Sequence, residues 1–119
     1  MYTELDDKKV NILGVEYSIC FMREDEPAYV EKNANGWTDS SIKAICVGIF
    51  EPDPSSLADL DEFQKKVLRH EIIHAFLYES GLCESSKASD AWAINEEMVD
   101  WLAIQHSKIH AAMKQAGAL

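Results

Sequence analysis

The sequence lacks any long uncharged stretch. No run approaches the roughly 18 residues that a membrane-spanning helix requires. Its first twenty residues contain acidic and basic side chains and no apolar segment of the kind found in export signals. We therefore expect a soluble protein that has no membrane partner and lies in the cytoplasm.

Cysteine is also scarce. The three cysteines, Cys20, Cys46 and Cys83, are odd in number and none of them forms a C-x-x-C pair. Such spacing excludes a disulfide framework and a thiolate zinc site. A reducing compartment fits this pattern best.

Basic residues are few: 11 Lys and Arg stand against 21 Asp and Glu, for a formal charge of −10. A nucleic-acid-binding surface needs clustered positive charge to replace the counterions of the phosphate backbone. We therefore expect no nucleic-acid partner, and we interpret the acidic excess as a solubilising surface.

The apolar fraction of 47% is sufficient for one folded core, and we assign residues 1–119 to a single domain. Pro52 and Pro54 separate a strand-like first half from a helix-like second half. The first half predicts a hairpin over 10–22 around Gly14, a charged, turn-rich segment over 23–35, and a second β unit over 36–50 with a turn at 39–41. The fold class expected is α+β: a small twisted sheet of three to four strands packed on two main helices.

The second half predicts two helices. The first begins after N-cap candidates in 55–59 and ends near Ser80, with Gly81 as its stop. A polar loop over 84–88 leads to Ser89 or Asp90 as the next cap, and a long helix follows over 92–115. We expect its larger apolar residues to lie in the core: Trp92, Ile94, Met98, Trp101, Leu102 and Ile104.

The first helix contains H-E-x-x-H as His70, Glu71 and His74. Residues four apart lie one above the other on a helix, so both imidazoles can reach one zinc ion. Glu71 stands beside that ion without being forced to bind it, which is where a general base belongs. Surrounding residues are mostly apolar, and buried polar groups need partners.

A catalytic zinc site needs a third protein ligand, and the second helix offers carboxylates for it. Glu96 and Asp100 lie four residues apart on one helical face. One carboxylate can bind the metal while the other accepts a hydrogen bond from a ligand histidine. Glu97 remains an alternative to Glu96 as the ligand.

H-E-x-x-H followed by Asn95, Glu96 and Asp100 as N-E-x-x-x-D resembles the gluzincin metallopeptidases, the thermolysin-like zinc enzymes, and the likeness extends to the preceding Ala93 and Ile94. The resemblance implies that His70, His74 and Glu96 bind Zn²⁺, that Glu71 is the catalytic base and acid, and that Asp100 orients a histidine ligand. The layout of the whole chain is also similar to small phage and prophage proteins related to the ImmA/IrrE metallopeptidases. A minimal zincin-like domain is implied.

These observations predict a zinc endopeptidase, rather than an exopeptidase, that acts on a peptide or protein substrate. The metal would activate a water molecule for attack on the scissile carbonyl, and Glu71 would carry its proton to the leaving amine. The substrate would lie as an added strand along an exposed sheet edge, which we place at 42–50. Tyr78, His106 and His110 are candidates for stabilising the oxyanion by their chemistry alone.

Two other functions remain open. The same ligands suit a zinc-binding interaction or regulatory protein without activity, because metal ligation also stabilises folds. A di-iron carboxylate protein would use Glu71 and His74 as one E-x-x-H unit, but needs a second such unit and a helix bundle. Cys83 is interpreted as an ordinary cysteine outside the site, and His106 and His110 as a solvated helix face.

Overall fold

The computed structural model describes residues 1–86 and 92–119. It contains a four-stranded mixed sheet and two main helices, which confirms the predicted α+β class. The elements are β1 (Lys8–Ile12), β2 (Val15–Arg23), α1 (Pro27–Lys32), β3 (Gly36–Asp39), β4 (Ala44–Ile49), α2 (Leu60–Glu79), α3 (Leu82–Ser86), a 3₁₀ turn (Trp92–Ile94) and α4 (Glu96–Gln115). Within the described ranges, no helix is both long enough and apolar enough to cross a membrane.

The sheet has the strand order β1-β2-β4-β3. β1 and β2 form the predicted antiparallel hairpin, in which Leu13 and Gly14 turn the chain with φ angles of 52° and 91°. β2 then pairs with β4 in parallel, and β4 pairs with β3 antiparallel. β4 is therefore an inner strand, and the expectation that 42–50 forms an exposed edge for substrate is wrong. In the described part of the chain, the edges are β1 and β3.

One face of the sheet packs on α2 and forms the core. Alternate residues of β2 point to this face because side chains of a strand alternate between its two sides. Tyr17, Ile19 and Phe21 are buried there, together with Ile45 and Val47 of β4 and Val67 and Ala75 of α2. This packing fixes α2 across the sheet and thereby sets where H-E-x-x-H lies.

Helix α2 matches its prediction closely. The Asp59 side chain accepts a hydrogen bond from the Glu62 amide at 3.0 Å, which caps the first turn. Asp61 and Glu62 add negative charge at the positive end of the helix dipole. The helix ends before Gly81, whose φ of 81° is a conformation that other residues rarely adopt.

Helix α4 begins at Glu96, later than predicted. The Asn95 side chain accepts a hydrogen bond from the Met98 amide at 2.9 Å and so acts as the N-cap. The residues before it form a 3₁₀ turn instead of the first turns of an α-helix. Ser89 and Asp90, the predicted caps, lie outside the described residues.

The α4 core differs from the prediction because smaller residues make the contact with α2. Ala93, Val99 and Ala103 are fully buried, while Trp101 and Ile104 remain 55% and 44% exposed. Met98, Leu102 and Ile94 are half-buried. Small side chains let the helices approach closely and leave larger ones at the flanks of the contact.

Two short helices, α1 and α3, form where only turns and loops were expected. Pro27 begins α1 with its φ already suited to a helix, and Asn33 ends it in the left-handed conformation with φ of 50°. α3 follows directly after Gly81. Neither helix has more than six residues, so neither carries the longer apolar repeat that predicts a helix from sequence.

A disulfide joins Cys20 of β2 to Cys46 of β4, which the spacing of the cysteines did not predict. The two residues are register partners in neighbouring parallel strands, and their Cα atoms are 4.9 Å apart. Disulfides are characteristic of oxidising compartments. This bond therefore disagrees with the reducing compartment that the cysteine pattern predicted. Cys83 is buried and is not part of this disulfide.

Candidate metal centre

Three side chains that can bind a metal meet between α2 and α4. His70 and His74 lie one turn apart on α2, with ring centroids 4.8 Å from each other. Glu96, the first residue of α4, reaches across to both of them. One ligand atom from each of these residues lies within 4.8 Å of the others, so the structure brings together the three predicted ligands.

The distances between the ligand atoms suit a small tetrahedral ion. The Nε2 atoms of His70 and His74 are 3.1 Å apart. Glu96 places Oε2 3.1 Å from the first and Oε1 3.0 Å from the second. Ligands bound about 2.0 to 2.1 Å from zinc would lie roughly 3.4 Å apart along a tetrahedral edge, so only a small outward movement is needed.

Asp100 sets the tautomer of His70. Its Oδ1 lies 3.4 Å from His70 Nδ1 and 2.8 Å from the ammonium of Lys66. The hydrogen bond from Lys66 is the main reason that the pKa of Asp100 lies below its usual value. An ionised Asp100 can only accept, so His70 donates a hydrogen bond to it from Nδ1–H, and Nε2 is the ring nitrogen left to bind a metal.

His74 is held in the form that binds metals. Burial lowers the pKa of its imidazole, which favours the neutral ring. Its Nδ1 atom is buried and has no hydrogen-bond partner among the described residues. The Nε2 atoms of both imidazoles and the carboxylate oxygens of Glu96 converge on one point, where a cation would bind all three side chains.

Glu71 lies beside this cluster but faces the sheet. It is only 6% exposed, and the Thr38 hydroxyl of β3 donates a hydrogen bond to its Oε1 at 2.9 Å. Burial raises the pKa of the Glu71 carboxyl, while the bond from Thr38 acts in the opposite direction. A carboxylate with a raised pKa is a better proton acceptor near neutral pH.

Two clefts open on either side of the cluster, and Glu71 and Glu96 line both. The first, of about 220 Å³, also contacts Lys66, His70 and Asp100. The second, of about 210 Å³, also contacts Thr38, His74 and Tyr78. Both clefts therefore border Glu71 and the point on which the three ligand side chains converge.

The remaining candidates divide between the site and its surroundings. Tyr78 lies at the second cleft, and its ring stacks on His74 with a centroid distance of 6.3 Å. Glu97 is exposed and is not a member of the cluster. The thiol of buried Cys83 donates to the Ala93 carbonyl at 3.8 Å, away from the cluster.

His106 and His110 lie too far along α4 to join the site. They are exposed and stack on each other with ring centroids 6.2 Å apart. At 1.5 Å per residue, His106 lies about 15 Å beyond Glu96 and His110 about 21 Å beyond it. Neither can stabilise an oxyanion at the cluster.

Sequence reasoning missed three residues that shape the site. Thr38 and Gly36 lie in the β half of the chain, and Lys66 lies one turn before His70. None belongs to a recognisable motif, and Thr38 is 33 residues from the glutamate that it contacts. The opposite charges of Lys66 and Asp100 are the one hint in the sequence. Their pairing could be predicted only by knowing how the two helices cross.

The geometry thus establishes a His70, His74 and Glu96 cluster that can hold a metal ion, with a buried carboxylate next to it. No protein-family model, no curated protein and no solved structure matches the chain.

Proposed function

We propose that the protein is a zinc endopeptidase in which Glu71 is the general base. The observation that carries this proposal is that four polar side chains occupy two different kinds of position. His70, His74 and Glu96 converge as a group that can bind a metal ion, whereas Glu71 lies beside them and its carboxylate accepts a hydrogen bond from Thr38. A purely structural zinc site needs four protein ligands and no additional buried carboxylate.

The two histidines and Glu96 would hold Zn²⁺, since nitrogen and carboxylate donors in a tetrahedral set favour that ion. Zinc bound there supplies a Lewis acid that polarises a peptide carbonyl and acidifies a water molecule. Glu71 takes the proton of the attacking water and passes it to the amine nitrogen as the peptide bond breaks. Asp100 would keep His70 oriented throughout by accepting a hydrogen bond from its Nδ1–H.

The substrate would lie along β3, because this edge of the sheet borders both clefts. Gly48 N–H donates to the Asn35 carbonyl, and residues of an antiparallel strand bond alternately to one side and the other. The main-chain N–H and C=O groups of Gly36 and Thr38 therefore point away from β4. A peptide added there pairs through its backbone, which binds an extended chain with little demand on its sequence.

Tyr78 is our candidate for stabilising the oxyanion. It lies at the second cleft with His74, and its side chain is one turn further along α2. A phenol hydroxyl donates a hydrogen bond to negative charge that develops on the carbonyl oxygen. Replacing Tyr78 by Phe should lower kcat without reducing zinc content.

The test compares wild type with Glu71→Gln, a variant of nearly identical shape, for zinc content and for cleavage of a peptide library. We expect equal zinc in both proteins and cleavage in wild type alone. Glu97→Gln is the matched control, since Glu97 is exposed on α4 outside the cluster, and it should cleave as wild type does. Cleavage by Glu71→Gln at the wild-type rate would contradict the proposed base.

The other outcomes identify the alternatives. One zinc per chain with no cleavage by any variant would favour a zinc-binding interaction protein. Two irons per chain would favour a carboxylate-bridged oxidative centre. Peptide substrates that are N-methylated at alternate residues test binding along β3. Methylation removes the N–H groups that would donate hydrogen bonds to the β3 carbonyls. Equal kcat/KM for methylated and unmethylated peptides would exclude binding along β3.

A further inference from the structure

The side chain of Thr38 joins the edge strand to the candidate base. Its hydroxyl lies 2.9 Å from Glu71 Oε1 and 3.0 Å from the Glu71 backbone carbonyl oxygen. Thr38 is half-buried, so this contact is partly shielded from water. A hydroxyl has one proton to donate, and a charged carboxylate is a stronger acceptor than a neutral carbonyl.

The contact depends on an unusually close approach of β3 to α2. A Cβ atom at Gly36 would lie 2.9 Å from Val67 Cγ1 and 3.3 Å from Glu71 Cγ. Because position 36 has no side chain, the strand lies against the helix, and Thr38, two residues later on the same face, reaches Glu71. Strand position and carboxylate position are therefore linked.

We propose that Thr38 is a positioning residue that fixes the Glu71 carboxylate by holding Oε1, so that Oε2 is the oxygen that meets the attacking water. This inference rests on the proposed peptidase function. A free glutamate side chain samples several rotamers, and only some of them place an oxygen at the water. One anchored oxygen removes most of that freedom before the substrate arrives.

The same contact makes the base sensitive to the substrate. The backbone groups of Thr38 face the position where a peptide would pair with β3, while its side chain faces Glu71. A peptide that pairs correctly holds β3 in place and with it the anchored carboxylate. A peptide that pairs poorly leaves β3 freer to move and the base less well oriented, so discrimination between substrates would appear in kcat.

The experiment compares Thr38→Val with Thr38→Ser. Valine keeps the branched shape and removes the hydroxyl, whereas serine keeps the hydroxyl and removes the methyl group. We expect Thr38→Val to lower kcat by about 10- to 100-fold with KM and zinc content close to wild type. Thr38→Ser should restore most of kcat. Wild-type kcat in Thr38→Val, or equal losses in both variants, would overturn the proposal.

A spectroscopic measurement separates this proposal from the peptidase function. Co²⁺ replaces Zn²⁺ in tetrahedral sites, and its visible absorption reports the surroundings of the metal. We expect Thr38→Val to shift the Co²⁺ bands toward those of Glu71→Gln, and Thr38→Ser to retain the wild-type spectrum. This pattern in a protein without cleavage would refute the peptidase and leave the anchoring of Glu71 standing. A wild-type spectrum in Thr38→Val would refute the anchoring, whether or not the protein cleaves peptides.

Discussion

Asp100 of α4 and His70 of α2 are paired across the helix contact, with Oδ1 3.4 Å from Nδ1, although 30 residues separate them in the chain. In this hydrogen bond His70 donates and Asp100 accepts, because Lys66 at 2.8 Å favours the ionised carboxylate of Asp100. It connects the metal cluster to a charged group that is not itself a ligand. Such contacts orient the ligands of metal sites and increase their basicity.

Replacing Asp100 by Asn should weaken zinc binding by about 10- to 100-fold, because the amide is a weaker acceptor for the His70 proton. Competition with a chelator measures the affinity directly. Asp25→Asn is the control, since Asp25 is exposed and forms an ion pair with Arg23 at 3.0 Å. An unchanged affinity in Asp100→Asn would show that His70 needs no such partner.

The neighbouring glutamates Glu96 and Glu97 provide a matched pair for the third ligand. Glu96→Gln should reduce zinc affinity more than Asp100→Asn does, because a neutral amide oxygen replaces a charged ligand atom. Glu97→Gln has the same chemical change one residue away and should bind zinc as wild type does. A greater loss of zinc affinity in Glu97→Gln than in Glu96→Gln would identify Glu97 as the third ligand instead.

Gly36→Ala should separate β3 from α2. The new methyl group would meet Val67 Cγ1 and the Cys46 carbonyl oxygen, both at 2.9 Å, and the carbonyl belongs to the inner strand β4. Overpacking of this kind costs about 1 to 3 kcal/mol of unfolding free energy. Urea denaturation measures that loss, and the cleavage assay should show a lower kcat because Thr38 moves with the strand. Wild-type stability and kcat together would argue against the close approach.

Glu79 should stabilise the fold in a pH-dependent way. Lys43 at 2.6 Å and Tyr17 at 2.7 Å both donate to Glu79 Oε1, and these hydrogen bonds lower the pKa of its carboxyl from its usual value. A lowered folded-state pKa gives stability that is present above the unfolded pKa and disappears as pH falls through the folded value. The difference in unfolding free energy between wild type and Glu79→Gln should therefore be largest at neutral pH and shrink below about pH 4.5. A constant difference from pH 7 to pH 3 would contradict this account.

The disulfide between Cys20 and Cys46 should stabilise the sheet by restricting the unfolded chain. It closes a loop with a sequence separation of 26, for which the expected contribution is about 3.5 kcal/mol. Unfolding in urea with and without a reductant measures the difference. Cys83 is buried and outside the disulfide, so it is a thiol in both the oxidised and the reduced protein. The double variant Cys20→Ser, Cys46→Ser should therefore be as stable as the reduced protein. Equal midpoints for oxidised and reduced protein would exclude a stabilising role.

Much of the fold follows from local sequence patterns. The alternation in β2, the turn at Gly14 and the cap at Asp59 each involve residues a few positions apart, so the chain determines them without knowledge of its neighbours in space. The start of α4 was less predictable. The sequence pattern placed its cap at Ser89 or Asp90, whereas in the folded chain the Asn95 side chain accepts the hydrogen bond from the Met98 amide.

The sequence by itself determined that His70 and His74 lie on one face of a helix with Glu71 between them, because an i, i+4 spacing and a helical period are enough. The tertiary structure alone decided which carboxylate of α4 meets them, that β3 forms the edge near them, and that Thr38 reaches Glu71. The physical reason is the range of the forces involved. Helical hydrogen bonds and caps act within a few residues, whereas strand order and helix crossing depend on how the whole core packs.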